Sequence, residues 1–415
     1  MEIVEGVNLH LIKNESLKTV HIKCRFSGQL RSKTVARRAL VAQMLETATM
    51  TYPTNQAFRL ALANLFGASL STTLVTKGKT HCLDINCSVI SDSYSFESQS
   101  LLEALLNLLK DMLFNPLVAT EQYQKASFEV EKQNLMAAID SENADLFYLA
   151  EQGLRKGFYQ DSCQALSSLT TKDLLSREDA FTAYQEFQRM LHHDQIDVFI
   201  VGDFDDYDVI KQLYQFPFGP RQVALDLQYQ QVYTNVISES CEIKESQQSI
   251  LMLGYHMPFS YDAPEMLSMA VYNALLGDLP TSKLFVNVRE KTGLTYAIGS
   301  YYDDFSQLAT IYAGIQKTAK TEVLRLILRQ VKEMRLGKFT VTDLDRAKLA
   351  IKNQLLVSQD SPNQLIEMVF HDYYSQEDLS IERLLIEIDA IDKNAIVAVA
   401  KKLRLQAVHL LEGVS

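Results

Sequence analysis

No two of the eight histidines in this 415-residue chain (His10, His21, His81, His192, His193, His256, His371 and His409) lie four residues apart. Four-residue spacing sets two imidazoles on one helix face, where they can share a metal ion. Neither H-x-x-E-H nor H-E-x-x-H can therefore occur. The five cysteines (Cys24, Cys82, Cys87, Cys163 and Cys241) are odd in number and scattered. They predict reduced thiols in a cytoplasmic protein rather than a disulfide framework or a metal cluster. With only 15 Gly and 8 Pro, long disordered linkers are excluded. No apolar run approaches the roughly 20 residues that a membrane helix needs. The richest run, LLEALLNLLKDMLF, is interrupted by Glu103, Lys110 and Asp111 and reads as an amphipathic helix. The first residues lack a basic region followed by an unbroken apolar core, so no signal peptide is expected. The net charge is −11, and no Lys/Arg cluster is interleaved with aromatics, which argues against nucleic acid as a partner.

The composition that remains is 47% hydrophobic, enough for a sizeable core, and the length favours two or more domains. The order of elements repeats. In the first half the strand VHIKCRF precedes a helix from about Val35 to Thr49, whose stripe Val41, Met44, Leu45 and Ala48 has helical spacing. A helix NQAFRLALANLF ends at Gly67, the strand HCLDINCSVI follows, and a helix runs from Gln99 to Phe114, stopped by Asn115-Pro116. In the second half the strand QSILMLGYHM precedes the helices PEMLSMAVYNALLG and TSKLFVNVREKTG, the latter closed by Gly293. The strands YAIGSYY and ATIYAGI follow, then a long helix ending at Gly337. Both halves finish on a strand, IDVFIVGDF and AVHLLEG, and Gly67-Ala68-Ser69 corresponds to Gly293-Leu294-Thr295. A duplicated α+β unit accounts for this order, with an N-terminal half over 1–218, a C-terminal half over 219–415 and a linker at Pro217–Asp226.

The stretch SKLFVNVREKTGLTYAIGS (282–300) resembles the second-domain signature of the insulinase/pitrilysin family of zinc metallopeptidases, S-x-L-F-x-x-V-R-E-K-x-G-L-x-Y. The duplicated order extends the resemblance, more weakly, over the whole chain. It implies an α+β metallopeptidase (LuxS/mitochondrial processing peptidase-like) fold. Two homologous halves, each an antiparallel sheet covered by helices, then form a clamshell around an unfolded peptide. In the family the first half binds zinc on an inverted H-x-x-E-H helix, and a Glu on a later helix completes the site. The Glu between the two His takes a proton from the metal-bound water. An Arg and a Tyr of the second domain stabilise the oxyanion across the cavity, and they match Arg289 and Tyr296.

This chain departs from the family at the metal. The zinc helix falls on ARRALVAQMLETAT, with the slot at Ala39 to Gln43 or one residue later, at Leu40 to Met44. Ala39, Ala42 and Gln43 replace the first three site residues, and Ala138 replaces the third ligand. His192 and His193, adjacent and so about 100° apart on a helix, read as a helix end rather than ligands. Glu46 reads as an exposed helical carboxylate. The chain alone is thus expected to hold no zinc and to hydrolyse no peptide.

Some bacterial relatives divide the work between a zinc-bearing subunit and one that keeps the Arg/Tyr pair. The resemblance therefore implies a heterodimer with an H-x-x-E-H-bearing homologous subunit that carries the zinc. Arg289 and Tyr296 are then expected to handle an unfolded peptide or protein segment. A structural scaffold without chemistry is the alternative, since metal-free members serve as core subunits of a respiratory complex. A further resemblance, on ATMTYPTNQAFRLALANLFGASLSTT, is to metal-free paralogues of Gram-positive bacteria associated with elongation factor P modification.

Overall fold

The computed structural model describes residues 1–95, 100–167, 169–376 and 380–414. The chain divides into two compact units. One comprises Met1–Asp140, Leu166–Leu227 and Gln359–His371; the other comprises Ser141–Ala165, Gln228–Ser358 and Asp372–Ser415. The units are interleaved along the sequence, so each takes in a short segment from the other's stretch of chain.

The first unit is built on the strands β1 (Glu2–Val4), β2 (Val7–Lys13), β3 (Thr19–Gln29), β4 (Ser69–Lys77) and β5 (Thr80–Ile90). A two-residue ribbon, β6 (Val118–Ala119) with β7 (Gln122–Tyr123), and the strand β8 (Gln195–Gly202) complete it. The sheet order is β1-β2-β8-β3-β5-β4. The second unit has β9 (Ser238–Glu245), β10 (Ser249–His256), β11 (Thr295–Asp303), β12 (Leu308–Ile315) and β13 (Arg404–Val414). Its order is β11-β12-β10-β13-β9. Without β1, the two sheets share one topology. Each is antiparallel apart from one parallel pair, β2 with β8 and β9 with β13. Each also ends on the strand that follows a positive-φ glycine, Gly67 before β4 and Gly293 before β11.

The alternation of VHIKCRF sorts its residues onto two faces. Val20, Ile22, Cys24 and Phe26 join Leu83 and Ile85 in a core closed by the helices Ser32–Leu45, Leu101–Phe114 and Ala180–His193. The expected start of the middle helix at Gln99 lies outside the described residues. The helix expected over Val35–Thr49 ends early, because Glu46 and Thr47 donate back to Gln43 and Met44 in a tighter turn. No described helix is long and apolar enough to cross a membrane.

The opposite face of the first sheet carries charge and is nonetheless buried. Arg25, 1% exposed, grips Asp84 with two parallel hydrogen bonds of 2.8 and 2.7 Å. The segment 359–371 covers this pair: Glu367 meets Arg25, Lys23 and Lys77 at 2.5 to 3.2 Å, and the Phe370 ring lies 4.6 Å from the guanidinium. Burial raises the Glu367 carboxyl, but the three cations outweigh it and hold the group far below the usual carboxylate range. Removing one partner of a buried pair leaves an uncompensated charge. Asp84→Asn is therefore expected to destabilise the protein by about 3 kcal/mol, the low end for buried pairs because Glu367 still reaches Arg25. Urea unfolding measures this, and a change below about 0.5 kcal/mol, the scale of an ordinary surface substitution, would show that the cluster contributes nothing.

Candidate functional site

The Arg/Tyr motif lies on two consecutive elements of the second unit. The helix Glu265–Asn273 widens into a π-helical turn at Ala274–Asp278, and a second π-helical turn spans Phe285–Glu290. Expectation from the sequence was an ordinary helix at both places. Two contacts account for the local geometry at the first turn. Gly277 lies so close to β11 that an added Cβ would sit 2.7 Å from the Ser300 nitrogen, and the Ser300 hydroxyl donates to the buried Asn273 side chain at 2.7 Å. Such turns recur at functional sites. Within the second turn, the Arg289 guanidinium rests 4.7 Å from the centre of the Phe285 ring. Among the described residues its carboxylate neighbour is Glu290 at 4.0 Å, with both side chains substantially exposed, a geometry that binds weakly. Gly293, at φ +66°, ends the turn by donating its N–H to the Arg289 carbonyl at 2.9 Å.

Tyr296 follows in a β-bulge. Thr295 pairs with Ile315 and Ala297 with Gly314, so Tyr296 is the extra residue on β11. Strict alternation would send Tyr296 and Ala297 to opposite faces. Instead the Tyr296 ring lies over Gly314 on β12 and meets Phe147 edge-on at 6.5 Å. Phe147 belongs to the helix Leu146–Phe158, where its N–H is bound by the capping Asp145 at 2.8 Å. The Tyr296 side chain remains 41% exposed, and its hydroxyl has no hydrogen-bond partner among the described residues. Partial burial raises the phenol above its ordinary value, so at neutral pH it is an O–H donor.

The sequence-predicted metal positions do not make a site. Ala39 and Ala42 are packed in the first unit's core, as are Leu40, Val41 and Met44 of the alternative register. Gln43 is half-buried, and Ala138 is exposed on the helix Lys125–Glu142. Zinc does not fit this set, which offers two methyl groups and an amide on one helix and a third methyl on another. Among the described residues no group of three or more His, Cys, Asp or Glu could hold a metal ion. His192 and His193 are exposed in the last turn of their helix.

Glu46 corrects the sequence reading. It is not a free helical carboxylate: it accepts the Thr72 N–H at 2.6 Å and the Thr72 hydroxyl at 2.7 Å, with Arg59 at 3.6 Å. Arg38, one residue before the slot, was missed altogether. It is fully buried against Glu186 at 3.2 Å, Asp194 and the His81 carbonyl at 2.6 Å.

The sheet topology, with the Arg/Tyr motif divided between the second π-helical turn and β11, defines a metallopeptidase-type fold. Residues 180–351 match the family described as peptidase M16 inactive domain. The chain is 27% identical over 414 residues to the probable inactive metalloprotease YmfF of Bacillus subtilis, covering 98% of this chain and 96% of that one. Its structure is similar to a conserved protein from Enterococcus faecalis, with a TM-score of 0.94 and 32% identity across 100% of this chain and 98% of that one. A peptidase M16 inactive domain protein from Pseudomonas fluorescens shares the fold, with a TM-score of 0.81 at 18% identity over 100% and 98% of the two chains. The chain belongs to the insulinase/pitrilysin (M16) metallopeptidase family and lacks that family's zinc ligands.

Metal analysis of chelator-free protein should find no stoichiometric zinc. Putting histidine back at position 39 should not restore binding, since Ala39 is 1% exposed and an imidazole there overpacks the core. Ala39→His is expected to cost about 1–3 kcal/mol in unfolding free energy. One tightly held zinc per wild-type chain would contradict the assignment.

Proposed function

We propose that this chain is the non-catalytic, substrate-handling member of a heteromeric zinc peptidase. It lends Arg289 and Tyr296 to a homologous cytoplasmic subunit that carries H-x-x-E-H. The observation that carries the reading is that both polar ends are held in place without being consumed. Arg289 is braced by its own Phe285, and Tyr296 by Gly314 and Phe147, yet neither is buried in an ion pair or a hydrogen-bond network. Both polar ends are therefore open to solvent and to a ligand.

A carbonyl oxygen gains negative charge when its peptide bond is attacked. A neutral phenol O–H and a guanidinium fixed beforehand stabilise that charge without reorganising. The ligand class is an unfolded peptide or protein segment, and the chain's own contribution is to bind and orient the carbonyl. The absence of ligating side chains on the helix Ser32–Leu45 supports placing the metal in the partner.

Tyr296→Phe and Arg289→Ala are each expected to lower the partner complex's turnover without dissolving the complex. Loss of one such donor costs about 100- to 1000-fold, roughly 3–4 kcal/mol. Tyr296→Phe removes only the hydroxyl, whereas Arg289→Ala also strips the Phe285 ring of its partner, so its melting is checked first. The two losses should combine less than additively if both donors serve one oxygen. Wild-type turnover with both residues replaced makes the pair structural and the chain a scaffold.

A further inference from the structure

The Tyr296 ring occupies a space that only a glycine on the neighbouring strand leaves open. An ideal Cβ at Gly314 would sit 2.2 Å from Tyr296 Cζ and 2.5 Å from its hydroxyl oxygen. Real Cβ atoms do not approach that closely, so a methyl group at Gly314 and the present position of the ring are mutually exclusive. The pairing is reciprocal, because a Cβ at Gly299 of β11 would sit 2.6 Å from the hydroxyl oxygen of Tyr312 on β12. Each strand thus carries one tyrosine laid across the glycine of the other. Gly314 needs no positive φ: it pairs with Ile250 in a regular ladder on one side and with Ala297, at the edge of the bulge, on the other. Its lack of a side chain therefore serves close approach rather than a turn.

Phe147 forms the second wall. Its ring stands edge-on to Tyr296 at 6.5 Å and to Tyr312 at 5.7 Å, with interplanar angles of 76° and 89°. Edge-to-face contacts fix the direction of both rings. Phe147 is itself set by Asp145, which caps its helix through the Phe147 and Tyr148 N–H groups at 2.8 and 3.3 Å.

We propose that Gly314 and Phe147 are positioning residues for Tyr296: the bulge turns the phenol onto this face, Gly314 admits the ring, and Phe147 sets its direction. The inference rests on the proposed substrate role of Tyr296 only in its kinetic consequence, because the placement of the ring can be measured alone. Strand backbone accepts alanine at least as readily as glycine, so Gly314→Ala displaces the ring while leaving the sheet intact.

The test is carried out on the full chain labelled with 13C at tyrosine Cζ, the Tyr296 signal being identified by its loss in Tyr296→Phe. In the wild type Tyr296 titrates above the ordinary phenol value of about 10. Gly314→Ala and Phe147→Leu should each shift that titration down toward the ordinary value, and Phe147→Tyr, which keeps the ring, should not. A change in folding is separated by melting: Gly314→Ala should lower the melting temperature in the wild type but not in Tyr296→Ala, where no ring remains to displace. With the zinc-bearing partner present, Gly314→Ala should cost roughly 100-fold in turnover and add nothing further to Tyr296→Phe. Unchanged Tyr296 titration in Gly314→Ala overturns the positioning role. A shifted titration with wild-type turnover in both Gly314→Ala and Tyr296→Phe upholds the positioning role and removes the substrate role instead.

Discussion

The candidate site of the second unit depends on how the second face of a β-sheet is covered. Helices of its own half cover one face of the second sheet, against Leu251, Leu253 and Ile311. The other face would expose Ile250, Met252, Leu308 and Leu411 to water were it not for the helix Leu146–Phe158, which lays Ala150, Leu154 and Phe158 across them. Full burial of a large apolar side chain is worth about 1.5–3 kcal/mol, so this contact is a major stabilising term. Gly153 lets the helix lie close, since a Cβ there would meet the His409 ring at 2.2 Å. The same docking brings Phe147 to Tyr296. The geometry of a solvent-facing phenol is thus tied to the burial of a whole helix.

The two units repeat one topology with different chemistry. Where the second sheet buries apolar side chains under its covering helix, the first buries Lys23, Arg25 and Asp84 under Glu367 and Phe370. Their edge strands differ in the same way. An exposed edge is a template for unwanted pairing and is normally blocked. On β4, whose residues from Ser69 to Thr76 carry no charge, the Glu46 carboxylate takes the Thr72 N–H. On β11, the π-helical turn crowds the edge at Ser300. Gene duplication accounts for the shared order of strands, and divergence for how each open face and edge was closed.

Much of this was legible in the sequence because it follows from local rules. Apolar periodicity located the helices, Gly67 and Gly293 marked their ends, and the matching order of elements exposed the repeat. What escaped depends on contacts between distant segments. The alternation in VHIKCRF correctly separated Lys23 and Arg25 from Ile22 and Cys24, but nothing local shows that residues 359–371 bury the charged face. The first π-helical turn was invisible because its local geometry involves Gly277, Asn273 and Ser300 across two elements. The bulge was hidden for a similar reason: TYAIGSYY alternates plausibly, and the extra residue appears only against the register of β12. The absence of H-x-x-E-H needed no structure, since no two histidines lie four residues apart.

Under the proposed function the chain acts through a zinc-bearing homologue. The direct measurement is peptide hydrolysis by a purified H-x-x-E-H homologue from the same cell, titrated with this chain. Hydrolysis should rise with added chain and saturate at a fixed stoichiometry, while the chain alone stays inactive. A stable complex whose hydrolysis equals that of the homologue alone would contradict the proposed function.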